Sequence, residues 1–143
     1  MNIKKVVVIG SGTMGSCIAA QVANAGLQVH LLDLTREIHT KASQRIKKSR
    51  PPLLMEENNL NYIIPGSIDN DLETIKNADW VVEAVVERID IKHNIYKKIF
   101  EARKHGAIVS SNTSSIPIKV LSQNLSDDQK KDFCITHFFN PVR

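Results

Sequence analysis

A doubly wound α/β domain, its mainly parallel sheet flanked by helices, is the architecture these 143 residues predict. Three observations carry that expectation. Short β-branched runs alternate with helix-period segments along the whole chain. Those runs are nearly all apolar, as strands covered on both faces must be. The first of them ends in a glycine-rich turn that opens a helix of small residues. The length suits one domain, no repeat or low-complexity tract divides it, and the expected strand order is 3-2-1-4-5-6.

Each element has its own reason. Lys4 to Ile9 reads as a buried strand, and Thr13 to Ala25 as a helix stopped by Gly26, where a left-handed cap belongs. Gln28 to Leu32 is a second strand ending at Asp33. Thr35 can N-cap a helix to about Lys48, which Pro51-Pro52 ends. Residues 53–66 are the least regular, followed by a short strand near Ser67-Ile68 and a short helix from about Asp71 to Asn77. Trp80 to Ala84 is again a strand. Ile89 to Lys104 is a long helix, because Ile91, Ile95, Ile99 and Ala102 recur on one face of a 3.6-residue period. Ala107 to Ser110 is a strand, Ser115 to Asn124 a helix with Pro117 in its first turn, and Phe133 to Phe138 the last strand.

Composition narrows the function classes. Apolar residues make up 42% and charged residues 24%, so neither disorder nor a fibrous fold is expected. The longest aliphatic run, Val6 to Ile9, is far too short for a membrane span or a signal-peptide core, so no membrane insertion and a cytoplasmic location are expected. Cys17 and Cys134 should stay thiols. His30, His39, His93 and His105 are scattered without ligand spacing, so no metal is expected. The net charge of +4 is local: Arg36, Lys41, Arg45, Lys47, Lys48 and Arg50 face one acid, Glu37, and the remaining chain is close to neutral.

The strongest local signal is Gly10-Ser11-Gly12-Thr13-Met14-Gly15, a G-x-G-x-x-G loop between a strand and a small-residue helix. Gly10 permits the tight turn, Gly12 lets backbone N–H groups approach a pyrophosphate, and Gly15 allows close helix packing. The positive end of the helix, with Thr13 and Met14 in its first turn, favours the anion. A Walker A loop is excluded, since no Gly-Lys-Ser/Thr follows. Asp33 stands 18 residues past Gly15, at the end of the second strand, where a carboxylate accepts adenosine-ribose hydroxyls and repels a 2′-phosphate. Arg36 argues the other way, because an arginine just after the strand can pair with that phosphate. The acid at the strand end favours NAD.

Three further strings end the later strands, where open α/β sheets bind ligands. They are Val82-Glu83-Ala84-Val85-Val86-Glu87 with Lys92, Ser111-Asn112-Thr113-Ser114-Ser115, and His137-Phe138-Phe139-Asn140-Pro141-Val142. Together they resemble the L-3-hydroxyacyl-CoA dehydrogenase family of fatty-acid β-oxidation, over the whole chain. The stretch Asp79 to Arg88 is most similar to longer members with a fused enoyl-CoA hydratase.

The resemblance implies that His137 is the catalytic base, that Ser114 and Asn112 surround the nicotinamide and the reacting oxygen, and that Asn140 lines the same pocket. It also implies that Glu87 and Lys92 lie near the nicotinamide ribose, and that Asp33 is the adenosine-ribose acid. An imidazole changes charge near neutral pH, which suits loss of the hydroxyl proton as a hydride leaves C3. In the family the acid that supports the imidazolium lies beyond the HFFNP string, as does a helical domain that makes much of the dimer contact and closes over acyl-CoA. The chain therefore reads as the NAD-binding part of a longer, homo-oligomeric enzyme, expected to bind cofactor and to catalyse little alone.

The basic segment has three readings. It is a solvated face; or, as the resemblance implies, a coenzyme A site with Lys41, Arg45 and Lys48 on one helix face; or a nucleic-acid surface, which is disfavoured because residues 36–50 hold no aromatic to stack a base. Two rival functions share the glycine loop and Asp33: an NAD(H)-sensing module, and another β-hydroxyacid dehydrogenase. The HFFNP string argues against both through the resemblance.

Overall fold

The computed structural model describes residues 2–34 and 36–142, with side chains in the second helix described from residue 41 onward. The strands are β1 (Lys5–Ile9), β2 (Gln28–Asp33), β3 (Ile63–Ser67), β4 (Trp80–Glu83), β5 (Ile108–Ser111) and β6 (Phe133–Ile135). They form one sheet in the order β3-β2-β1-β4-β5-β6, every pair parallel, which is the expected doubly wound order. The helices are α1 (Thr13–Asn24), α2 (Arg36–Lys48), α3 (Glu73–Lys76), α4 (Ile89–Ala102), α5 (Ile118–Leu121) and α6 (Asp127–Lys131), with a 3₁₀ segment at Glu57–Tyr62.

The period of two along β1 divides the core. Val6 and Val8 point into one layer with Ile18 and Ala19 of α1 and Ala42 and Ile46 of α2. Val7 and Ile9 point into the other, with Ile95, Tyr96 and Ile99 of α4. Because β1 pairs with β2 on one side and β4 on the other, the connections leave its C-terminal end in opposite directions. A crevice opens there, and it positions the site.

Four sequence expectations need correction, and a fifth lies outside the description. The third strand is Ile63–Ser67, not Ser67-Ile68. Pro65-Gly66 falls in the stretch that reads as least regular, yet β3 is an edge strand, where a proline without an N–H is tolerated. The helix expected over Ser115 to Asn124 is only Ile118–Leu121, and a separate α6 follows. Ser126 starts α6 by a capping box, its side chain accepting the Gln129 N–H while the Gln129 side chain accepts the Ser126 N–H. The last strand ends at Ile135, and residues 136–140 leave the sheet. On α4 the buried stripe is Lys92, Ile95, Tyr96 and Ile99, whereas Ile91 and Ala102 are half-buried. The expected cap Thr35 lies outside the described residues.

Candidate functional site

The glycines divide the labour as their spacing implies. Gly10 has φ +99°, and a Cβ there would lie 2.6 Å from the Ala84 carbonyl oxygen. A Cβ on Gly15 would fall 1.7 Å from the Gly10 oxygen, so α1 rests directly on the turn. At Gly12 a Cβ would meet nothing within 4 Å. The helix starts at this open spot with no side-chain cap and no acid in its first turn. Its orphan N–H groups and positive end are left for an anion.

Asp33 stands beside this loop at the end of β2. Its Oδ2 accepts the Ser11 N–H (2.6 Å) and the Ser11 hydroxyl (2.7 Å), and its Oδ1 accepts the Leu34 N–H (2.7 Å). A carboxylate offers about four lone-pair sites, so capacity remains for a ribose hydroxyl, and more once the Ser11 hydroxyl turns away.

Two cavities flank the loop. One, of about 310 Å³, is lined by Ile9, Gly10, Asp33, Lys41, Arg45 and Ile68 among others. The second, of about 480 Å³, is lined by Thr13, Met14, Glu87, Asn112, Ser114, His137, Phe139 and Asn140 among others. Both are also lined by Gly12, Ala84, Val85 and Val86, so they form one groove across the strand ends. Asp33 is at one end and His137 at the other.

The His137 end is shaped by hydrogen bonds between loops. The Asn112 side-chain oxygen accepts the Phe138 N–H (2.8 Å), fastening residues 136–140 to the loop after β5. The Glu87 Oε1 accepts from the Thr113 hydroxyl, the Ser114 N–H (3.1 Å) and the Ser115 N–H (3.2 Å). Burial pushes the Glu87 carboxyl up, but the Thr113 hydroxyl, the Ser115 N–H, the Lys92 charge and the Ser114 N–H outweigh it and hold the group at about 2. The His137 ring is exposed and packs on Phe139, with centroids 4.7 Å apart. Among the described residues no side chain hydrogen-bonds the His137 ring.

Lys92 stands beside Glu87. It is not on the groove wall but 1% exposed inside the protein, its ammonium 2.7 Å from Glu83 Oε1 and 3.3 Å from Glu87 Oε2. The basic trio divides. Arg45 donates to the Ser11 carbonyl (2.7 Å) and the Ser16 hydroxyl (3.3 Å), and with Lys41 it lines the Asp33 end of the groove, whereas Lys48 does not. The hydrogen bonds of Ser11, Glu83, Tyr96 and Ser111 give these residues a place in the site that no sequence motif assigns. An acid closing the apolar Trp80–Glu83 strand was the available signal, since a buried carboxylate must find partners. Among the described residues no group of three or more His, Cys, Asp or Glu could hold a metal, and no helix is long and apolar enough to cross a membrane.

The family model described as "3-hydroxyacyl-CoA dehydrogenase, NAD binding domain" matches residues 5–143. The chain belongs to this family. A Rickettsia felis protein, provisionally named a fatty acid oxidation complex trifunctional enzyme, is 46% identical over 149 residues, covering 99% of this chain and 21% of the relative. The "Probable 3-hydroxyacyl-CoA dehydrogenase" of Deinococcus radiodurans is 42% identical over 150 residues, covering all of this chain and 43% of that protein. The crystal structure of Escherichia coli 3-hydroxybutyryl-CoA dehydrogenase superposes with a TM-score of 0.83 at 31% identity, over 99% of this chain and 31% of that one. The chain thus spans between about a fifth and two fifths of these relatives. The family's cofactor is NAD, and the uncapped α1 start, the open space at Gly12 and the accepting Asp33 fit its pyrophosphate and adenosine ribose.

Proposed function

We propose that this chain forms the nucleotide half of a longer enzyme that oxidises (S)-3-hydroxyacyl-CoA to 3-oxoacyl-CoA with NAD in fatty-acid β-oxidation. The observation that carries the reading is the single groove from Asp33 past the glycine loop to His137, Ser114 and Asn112. Bound NAD supplies the hydride acceptor. Asp33 and the N–H groups of Gly12, Thr13 and Met14 hold its adenosine ribose and pyrophosphate, and Gly10 and Gly15 give the loop its shape. Glu87 and Asn140 border the nicotinamide half, and Lys92 acts there through Glu87. The 3-hydroxyl sits between His137 and the Ser114 hydroxyl, with the Asn112 NH₂ as a further donor.

Oxidation removes a hydride from C3 and a proton from its oxygen. His137 takes the proton, and Ser114 and Asn112 donate to the oxygen as it becomes a carbonyl. The acid that orients the imidazolium, the surface that encloses the acyl chain and the oligomer contacts belong to the rest of the enzyme. Lys41, Arg45 and Lys48 are the candidates for a coenzyme A phosphate, Lys41 and Arg45 at the Asp33 end of the groove and Lys48 outside it.

The test uses the chain extended to the length of its relatives. Acetoacetyl-CoA should drive oxidation of NADH, and His137→Gln should lower kcat by about 10²–10⁴-fold, the usual contribution of a general base. A variant with unchanged kcat would remove His137 from the mechanism. Failure of the extended native enzyme to turn over any 3-oxoacyl-CoA would remove the substrate class.

A further inference from the structure

The groove wall rests on a buried group that touches nothing in the groove. Glu83 closes β4, is 0% exposed, and its carboxylate accepts from four donors. Oε1 takes the Val85 N–H (2.8 Å) and the Lys92 ammonium (2.7 Å). Oε2 takes the Tyr96 hydroxyl (2.7 Å) and the Ser111 hydroxyl (2.6 Å). Val85 belongs to the loop that lines both halves of the groove. Ser111 is the last residue of β5, at the root of the loop carrying Asn112 and Ser114. Lys92 reaches on to Glu87, which holds that same loop from its other side.

A fully buried carboxylate is costly in a strand, and leaving one partner of a buried pair alone is costlier still. Tyr96 and Ile99 already supply apolar cover on this side of the sheet, so packing alone gives no reason for a charge here. What the charge does is tie three points together: the 84–87 loop, the base of the 111–115 loop, and the ammonium that faces Glu87. Those are the two walls between which the nicotinamide half of the cofactor lies in the function proposed above. The Asp33 end shares Ala84, Val85 and Val86 with this wall, but its own Asp33–Ser11 and Arg45–Ser11 hydrogen bonds do not involve Glu83.

We propose that Glu83 is a positioning residue for the nicotinamide half of NAD. It sets the spacing of the two loops and the aim of Lys92 at Glu87 without touching the cofactor. The inference rests on the cofactor assignment above. In Glu83→Gln the amide keeps the size and can still accept from Lys92 and Val85, while Tyr96 and Ser111 turn their hydroxyls to accept from its NH₂. Only the charge is lost. Lys92 is then drawn toward Glu87, its one remaining carboxylate, and pulls it off the 111–115 loop.

The test is calorimetric titration of the 143-residue chain with NADH and with ADP, which has the pyrophosphate and the adenosine ribose but neither the nicotinamide nor its ribose. Glu83→Gln should weaken NADH about tenfold and leave ADP within about twofold. Tenfold corresponds to about 1.4 kcal/mol, the scale of one charge-assisted hydrogen bond. A merely structural role would weaken both ligands together, and that outcome, or an unchanged ratio, overturns the proposal. Should Glu83→Gln fail to fold, Ser111→Ala decides, because it cuts the same anchor at the second loop. A selective loss of NADH sustains the proposal, and a native ratio overturns it. A native chain that binds neither ligand overturns the cofactor assignment itself, and this inference with it.

Discussion

Gly12 and Gly15 differ by three positions and by everything around them. A methyl group at Gly15 would collide with the Gly10 carbonyl, whereas at Gly12 it would enter empty space. Gly12→Val should therefore leave the urea midpoint close to native while abolishing NADH binding, and Gly15→Ala should lower the midpoint and the binding together. Equal folding defects in both would mean that the loop is only a turn. At Asp33 the issue is discrimination. Its carboxylate accepts hydroxyls and repels a 2′-phosphate, so the native chain should bind NADH more tightly than NADPH, and Asp33→Ala should narrow that gap. Equal native affinities would retire the acid as selector.

At the scale of elements, Glu87 joins the β4–α4 loop to the loop after β5, and its depressed carboxyl makes that junction pH-dependent. The ordinary value is 4.5 and the folded value about 2. The folded state thus binds fewer protons than the unfolded chain in this window. Stability from Glu87 is complete above 4.5 and is lost as pH falls through about 2. Asp79 acts with the same sign. The Lys104 ammonium and the N–H groups of Lys4 and Lys5 hold its carboxyl well below the usual range, and they join the start of β1 to the end of α4. The urea midpoint of the native chain should fall as pH is lowered across this window. In Glu87→Gln the fall should be shallower, and in Glu87→Gln with Asp79→Asn shallower still. A double variant as steep as native would locate acid sensitivity elsewhere.

For the whole molecule, binding and turnover should separate. The groove is complete for a nucleotide, with its loop, its open helix start and its acceptor all present, so the 143-residue chain should bind NADH by itself. Turnover asks more. His137 is exposed, and no described side chain hydrogen-bonds its ring. Holding reactants in near-attack geometry can contribute about 7–11 kcal/mol to a barrier, and an open groove cannot supply it. The chain alone should therefore oxidise no measurable NADH with acetoacetyl-CoA while the extended enzyme does. A chain within tenfold of the extended enzyme would show that enclosure and the orienting acid are dispensable.

The sheet order and the cofactor end of the groove were legible in the residues themselves. Strand and helix periods are local records of burial, and a glycine spacing is a local record of backbone shape. Hence β1, the glycine loop, α1 and Asp33 came out with nearly their observed bounds, and the His137, Ser114 and Asn112 strings landed on one sheet edge. What the residues alone left open is settled by contacts distant in sequence. Pro65 is tolerable only because β3 is an edge. Arg45 joins the glycine loop 34 residues away, and Glu83 gathers Lys92, Tyr96 and Ser111 from 9, 13 and 28 residues away. A buried charge reveals that it needs partners, but which partners it finds is decided only when the folded chain brings their elements together.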